Sequence, residues 1–271
     1  MVNRRSRPWV VSDELWSLVE PLLPVPGPKQ VEGRPRVPDR QALCGILFVL
    51  HTGIQWEYLP QELGFGSGMT CWRRLAAWNE AGVWDRLHAV LLRELRSKNQ
   101  LDWSRAVIDS PCPGGSAGPK SGPSPVDRAR PGSKHHLIVD GQGIPLAVSL
   151  TGGNRNDVTQ LLPLLDKIPS VAGTVGRPRH RPDMLFADRG YDHDKYRRLL
   201  WARGIRPVIA RRGEPHGSGL GVFRWVVERT ISWLHGYRRL RIRWERRDDI
   251  HEAFLSLAAC LITHRHVQRL C

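Results

Sequence analysis

Residues 105–109 read Arg105-Ala106-Val107-Ile108-Asp109, a short β-branched apolar run closed by a carboxylate. Its length and composition are those of a buried strand. A Gly/Pro/Ser-rich loop follows from Ser110 to Ser133. Next come His135-His136-Leu137-Ile138-Val139, the turn Asp140-Gly141-Gln142-Gly143, and Ile144-Pro145-Leu146-Ala147-Val148-Ser149-Leu150, which together predict a hairpin. Asn156 and Asp157 are capping residues for a helix reaching about Lys167. A basic loop (Arg177 to Arg181) precedes a second apolar run closed by a carboxylate, Met184-Leu185-Phe186-Ala187-Asp188. Helix over Tyr196 to Ala202, strand over Pro207 to Ala210, and helices over Phe223 to Tyr237 and Asp249 to Val267 complete the chain.

The order is strand, strand, strand, helix, strand, helix, strand, helix. It predicts an α/β fold with one mixed sheet flanked by helices. That is the order of ribonuclease H-like domains. The first hundred residues have a different, all-helical texture. Ser12 is placed to cap a helix bearing Leu15, Leu18, Val19 and Leu22, ended by Pro24 and Pro26. A Pro/Gly/Arg-rich linker covers 24–38, and a second helix runs from Asp39 to Thr52, stopping at Gly53. After the turn at 64–68, Thr70 is the expected cap of a helix carrying Arg73 and Arg74, Gly82 its terminator, and Val83 to Arg96 a last helix. We therefore divide the chain into a helical, helix-turn-helix-like DNA-binding domain (1–100) and a ribonuclease H-like domain (101–271). The helix-turn-helix reading puts Arg73 and Arg74 in a DNA groove; the alternative is a helical bundle with an Arg pair on its wet face.

The 271 residues carry a net charge of +15, and most of it falls late in the chain. Residues 1–100 hold 13 Lys+Arg against 10 Asp+Glu, whereas the remainder holds 28 against 16, a net of +12. Such an excess, mostly arginine, points to a polyanionic partner, and nucleic acid is the common one. Five scattered cysteines without CxxC spacing argue against a disulfide framework or structural zinc. His264 and His266 lack a second ligand pair, and Gly118-Pro119-Lys120-Ser121 lacks the strand–loop–helix setting of a phosphate loop. With no signal-like N-terminus and no apolar run long enough to span a bilayer, the expected location is the cytoplasm, away from membranes.

Three carboxylates then stand out. Asp109 and Asp188 end strands, where open sheets place ligands. Glu228 lies in the late helix, in Arg224-Trp225-Val226-Val227-Glu228-Arg229-Thr230. Magnesium takes oxygen ligands from a few carboxylates and from phosphate. Two such ions can activate a hydroxyl and stabilise the leaving oxygen of a phosphoryl displacement. Acids that bind metal, set in a basic domain, suit DNA chemistry.

The chain resembles the insertion-sequence transposases with a DDE triad. Three segments carry the resemblance: Gly53-Ile54-Gln55-Trp56-Glu57-Tyr58-Leu59-Pro60, Ala187-Asp188-Arg189-Gly190-Tyr191-Asp192, and the late-helix segment around Glu228. The resemblance implies that Asp109, Asp188 and Glu228 are catalytic metal ligands for two Mg²⁺ (or Mn²⁺) ions. It also implies cleavage at the ends of a mobile element, and attack of the freed 3′-hydroxyl on target DNA by a homo-oligomer. Arg224 and His235 share the Glu228 face and are expected to touch DNA. With them we group the cluster Arg238, Arg239, Arg241, Arg243, Arg246 and Arg247, and also Lys134 and the pair Arg73 and Arg74. The chain departs from relatives at His235 (often Lys), at Gly221 (often Tyr), and after Asp109. There Ser110-Pro111-Cys112-Pro113-Gly114-Gly115-Ser116 is expected to change the backbone path. Two rival readings stay open on the residues alone: an inactive DNA-binding relic or regulator, and a ribonuclease H-like nuclease that never joins strands.

Overall fold

The computed structural model describes residues 7–25, 27, 35–125, 127–173, 175–213 and 221–269. Most of the expected 24–38 linker and the basic N-terminal residues lie outside this set. The helical part comprises α1 (Asp13–Val19), α2 (Asp39–Thr52), α3 (Gly68–Glu80) and α4 (Val83–Ser97). Ser12 does cap α1, its side chain accepting from the Leu15 N–H. The helix ends at Val19 rather than at Pro24. Pro21 has no N–H to continue the ladder, and residues Glu20–Leu22 tighten into a 3₁₀ turn. Gly53, at φ 75°, stops α2 as expected. The α3 cap is Ser67, whose hydroxyl accepts from the Thr70 N–H at 3.2 Å; Thr70 itself sits inside the first turn. Residues 53–67, with two 3₁₀ turns, separate α2 from α3. That connection is far longer than the three- to four-residue turn of a helix-turn-helix.

The second part forms a mixed sheet from β1 (Ala106–Asp109), β2 (Gly122–Pro123), β3 (Pro131–Asp140), β4 (Pro145–Gly152), β5 (Met184–Ala187) and β6 (Arg206–Ile209). β4 pairs with β3, β3 with β1, β1 with β5 and β5 with β6, with the short β2 added to the beginning of β3. β3 is antiparallel to β1 and β4, whereas β1, β5 and β6 run parallel. This mixed sheet matches the ribonuclease H-like expectation. Its helices are α5 (Leu161–Asp166), α6 (Asp194–Ala202), α7 (Gly221–Gly236), α8 (Arg238–Arg241) and α9 (Asp248–Gln268). Asn156 caps a 3₁₀ turn and not the expected single helix, because Pro163 deprives the Thr159 carbonyl of its helical donor.

One hydrophobic core runs from Val11 to Val267 without a break between the helical part and the sheet. Its centre is α9, an almost fully buried helix that packs on α3, α4 and β4. Cys260 Sγ of α9 reaches the Trp84 carbonyl of α4 at 3.3 Å, and His88 of α4 meets the Pro145 carbonyl of β4 at 2.9 Å. Across the other strands lies α7, against β1, β3 and β5.

The loop after Asp109 does not leave the sheet. Its prolines lack donors but keep their carbonyls, and those face β3: Pro111 accepts from the His135 N–H (2.9 Å) and Pro113 from the Ser133 N–H (3.1 Å). The expected change of path is thus corrected, since residues 111–115 run alongside the edge of β3. β3 itself is buried along nearly its whole length, polar residues included. His135 shares a 2.8 Å Nε2–Nε2 contact with His251 of α9.

Candidate active site

The parallel register fixes two of the three acids. Val107 of β1 stands opposite Phe186 of β5, so Asp109 and Asp188, each two residues further on, emerge together at the same ends of neighbouring strands. Asp109 Oδ1 accepts from the Ser110 N–H at 2.8 Å. Asp188 caps the 3₁₀ turn Arg189–Tyr191, accepting from the Gly190 N–H at 2.8 Å. Both are half-buried, while Glu228 stands exposed on α7. One turn earlier on the same helix face, Arg224 Nη2 lies 3.7 Å from Asp109 Oδ2.

Burial raises the Asp109 carboxyl above its ordinary range; the Ser110 N–H and Arg224 oppose this, and the charges of Asp188 and Glu228 raise it further. The three acids therefore share one electrostatic neighbourhood. Among the described residues, no three His, Cys, Asp or Glu side chains close into a ready-made ligand cage. The donor chemistry nonetheless suits a hard divalent cation. It offers only carboxylate oxygens, and Asp109 carries a like-charge burden that a cation relieves.

A family model described as "Transposase DDE domain" matches residues 101–263, more than half of the chain. The chain belongs to the DDE transposase family. A second model, described as "Putative transposase of IS4/5 family", matches residues 11–88 of this transposase-family chain. Among curated proteins it is similar to the "Putative transposase for insertion sequence element IS402" of Burkholderia cepacia. The two are 62% identical over 151 residues, 56% of this chain and 72% of the relative. An "Insertion element IS402 uncharacterized 16.2 kDa protein" from the same species is 57% identical over 103 residues, 37% of this chain and 70% of the relative. The "Putative transposase for insertion sequence element IS6501" of Brucella ovis is 26% identical over 137 residues, 48% of this chain and 96% of the relative.

The basic residues expected to meet DNA divide sharply. Arg73, Arg238, Arg241, Arg246 and Arg247 are exposed. Arg224 is held beside Asp109, and His235 is half-buried near His135. Arg239 and Arg243 are corrections, because both turn inward. Arg239 is 4% exposed, pairs with Glu245 through Nε at 3.0 Å, and donates to the Ile54 carbonyl at 2.9 Å. Arg243 is fully buried and donates to Ser133 Oγ and the Pro119 carbonyl, each at 2.6 Å, tying the post-Asp109 loop to β3. Lys134 is buried too, spent on Asp157 at 2.8 Å and on the Arg155 carbonyl. Arg74 is ion-paired with Asp39, with only 13% of its side chain exposed. In each case a neighbouring acceptor, invisible in the local sequence, claims the cationic group.

Sequence reasoning also missed polar groups beside the acids. Ser110 Oγ lies 2.6 Å from His136 Nδ1 and 2.8 Å from the Tyr191 hydroxyl, and His136 Nε2 lies 2.6 Å from Thr151 Oγ1. Tyr191 belongs to a segment that carries the family resemblance, which was the available signal.

Proposed function

We propose that this transposase cleaves DNA at the ends of its insertion element and joins the freed 3′-hydroxyl to target DNA, with Asp109, Asp188 and Glu228 as the acidic triad. The observation that carries the reading is the shared strand-end position of Asp109 and Asp188, faced by the α7 turn that bears Arg224 and Glu228. DDE-domain proteins generally use divalent metal ions. Two Mg²⁺ or Mn²⁺ ions held by these carboxylates would supply activation of the attacking hydroxyl and stabilisation of the leaving oxygen. The protein's own part is to position. The sheet ends hold two acids, α7 presents the third, and Arg224 offers a bidentate donor that suits a phosphate as well as it suits Asp109. The exposed arginines after α7 supply attraction for the DNA backbone. Assembly as a homo-oligomer on paired element ends belongs to the same reading, as does a DNA-binding role for residues 1–100 and a catalytic role for residues 101–271, two parts that share one core.

The deciding experiment replaces Asp188 with Asn and presents a labelled element-end fragment with Mg²⁺. Binding is retained and cleavage is lost on this reading; cleavage at the wild-type level overturns it. A wild-type chain that binds the fragment but never nicks it supports the relic reading. One that nicks but never joins supports the nuclease reading.

A further inference from the structure

We infer that Ser110, His136 and Tyr191 are positioning residues for the acidic site: a single half-buried hydroxyl, Ser110 Oγ, ties the segment that bears Asp109 to the segment that bears Asp188. The inference rests on the proposed triad and extends it to side chains that touch none of the reacting atoms.

The hydrogen bonds have one self-consistent direction. Burial pushes His136 down to about 4, so its ring is neutral and carries one N–H. Tyr191 is 2% exposed and its hydroxyl sits 2.8 Å from Ser110 Oγ, so its proton needs that oxygen as acceptor. Ser110 then donates its own proton to His136 Nδ1 at 2.6 Å, which places the ring N–H on Nε2, facing Thr151 Oγ1 at 2.6 Å. Each proton in the relay has one acceptor. In the reverse direction, the Tyr191 proton would be left without an acceptor among the described residues.

The relay crosses four elements. Ser110 directly follows Asp109 at the end of β1, and its N–H holds Asp109 Oδ1. Tyr191 closes the 3₁₀ turn that Asp188 caps. His136 and Thr151 are anchored on adjacent strands, β3 and β4, His136 buried and Thr151 half-buried near the end of β4. A hydroxyl joined to both acid-bearing segments restricts their relative movement, and side chains hydrogen-bonded just outside a metal's ligands commonly act in this way.

The test uses the full-length chain bound to an element-end fragment, with Mn²⁺ binding measured by electron paramagnetic resonance beside the cleavage rate. Ser110→Ala and Tyr191→Phe are each expected to weaken Mn²⁺ binding about 10- to 100-fold. The double variant should lose no more than the worse single, because one relay is broken only once. Ser110→Thr, which keeps the hydroxyl, should restore most of the affinity, and circular dichroism should show all variants folded. Wild-type Mn²⁺ affinity in Ser110→Ala and Tyr191→Phe overturns the inference, as do strictly additive losses. Asp188→Asn serves as the reference. If it loses Mn²⁺ while the relay variants keep it, the triad stands and the brace fails. If it too binds Mn²⁺ as the wild type does, the triad reading itself fails.

Discussion

The Arg224 guanidinium lies 3.7 Å from the Asp109 carboxylate, one helical turn before Glu228 on α7. A cation from the late helix thus reaches the acid that ends the first strand of the sheet. The pair is partly open, with about a quarter of each side chain exposed, so it adds less than about 1 kcal/mol to stability. Arg224→Ala should therefore unfold in urea within about 1 kcal/mol of wild type. Its single-turnover cleavage rate should fall on the order of 100-fold, as when one preorganised donor is removed from a reacting phosphate. Cleavage at the wild-type rate would reduce Arg224 to a local counter-charge.

Arg239 and Glu245 form a buried pair, their side chains 4% and 9% exposed. Removing one partner leaves the other charge unpaired in the core. Glu245→Ala should destabilise the protein by about 3–5 kcal/mol, measured by urea unfolding. A loss under about 1 kcal/mol would place the pair among ordinary surface bridges.

The exposed neighbours behave in the opposite way. Arg238→Ala with Arg241→Ala should alter stability by only about 0.5 kcal/mol per site. It should also flatten the salt dependence of DNA binding by about 0.9 in log–log slope for each phosphate contact removed. Titrating affinity against NaCl checks this, and an unchanged slope would show that these arginines do not meet the backbone of the bound DNA.

Gly68 opens α3 where the chain passes the Trp56 carbonyl so closely that an added Cβ would lie 1.7 Å from that oxygen. Backbone must shift to admit it, so Gly68→Ala should cost on the order of 1–3 kcal/mol in urea unfolding. An undiminished midpoint would mean that this junction yields freely.

The buried histidines set an acid limit on stability. His251 is held down to about 3, first by burial and then by Arg243 and Arg239, and His135, against it at 2.8 Å, is lowered well below its usual range. His135 also faces His235, His136 and Arg243, so protonation meets only like charge or neutral rings. Folded, these rings stay neutral; unfolded, they take up protons near pH 6.5. The folded pKa is depressed, so stability is complete above about pH 6.5 and declines as pH falls toward 3. Each ring that stays neutral contributes a slope of about 1.4 kcal/mol per pH unit within that window. Thermal melts between pH 7 and pH 4 should show the decline, and a flat profile would contradict neutral burial.

Much of this was legible in the chain. The apolar runs ending in Asp109 and Asp188, and the caps Ser12 and Gly53, are local signals that survive folding because strand and helix periods are written in neighbouring residues. The moderate misses were local too: Pro21 and Pro163 tightened turns where longer helices were expected. The arginine cluster was legible as charge but not as orientation. Whether Arg239 or Arg241 faces water depends on where Glu245 and the Ile54 carbonyl lie, and no spacing rule predicts that.

From its residue order alone, then, this protein had its mixed α/β plan, its basic character and the identity of its three candidate acids, since periodicity and composition are properties of short stretches. The tertiary structure alone decided that β1 and β5 bring Asp109 and Asp188 to one sheet end, that α7 lays Arg224 against Asp109, and that Ser110 joins Tyr191 to His136. Contacts between residues some 80 to 120 positions apart depend on how buried surfaces pack, and a hydrogen bond a few ångströms long exists only once that packing is complete.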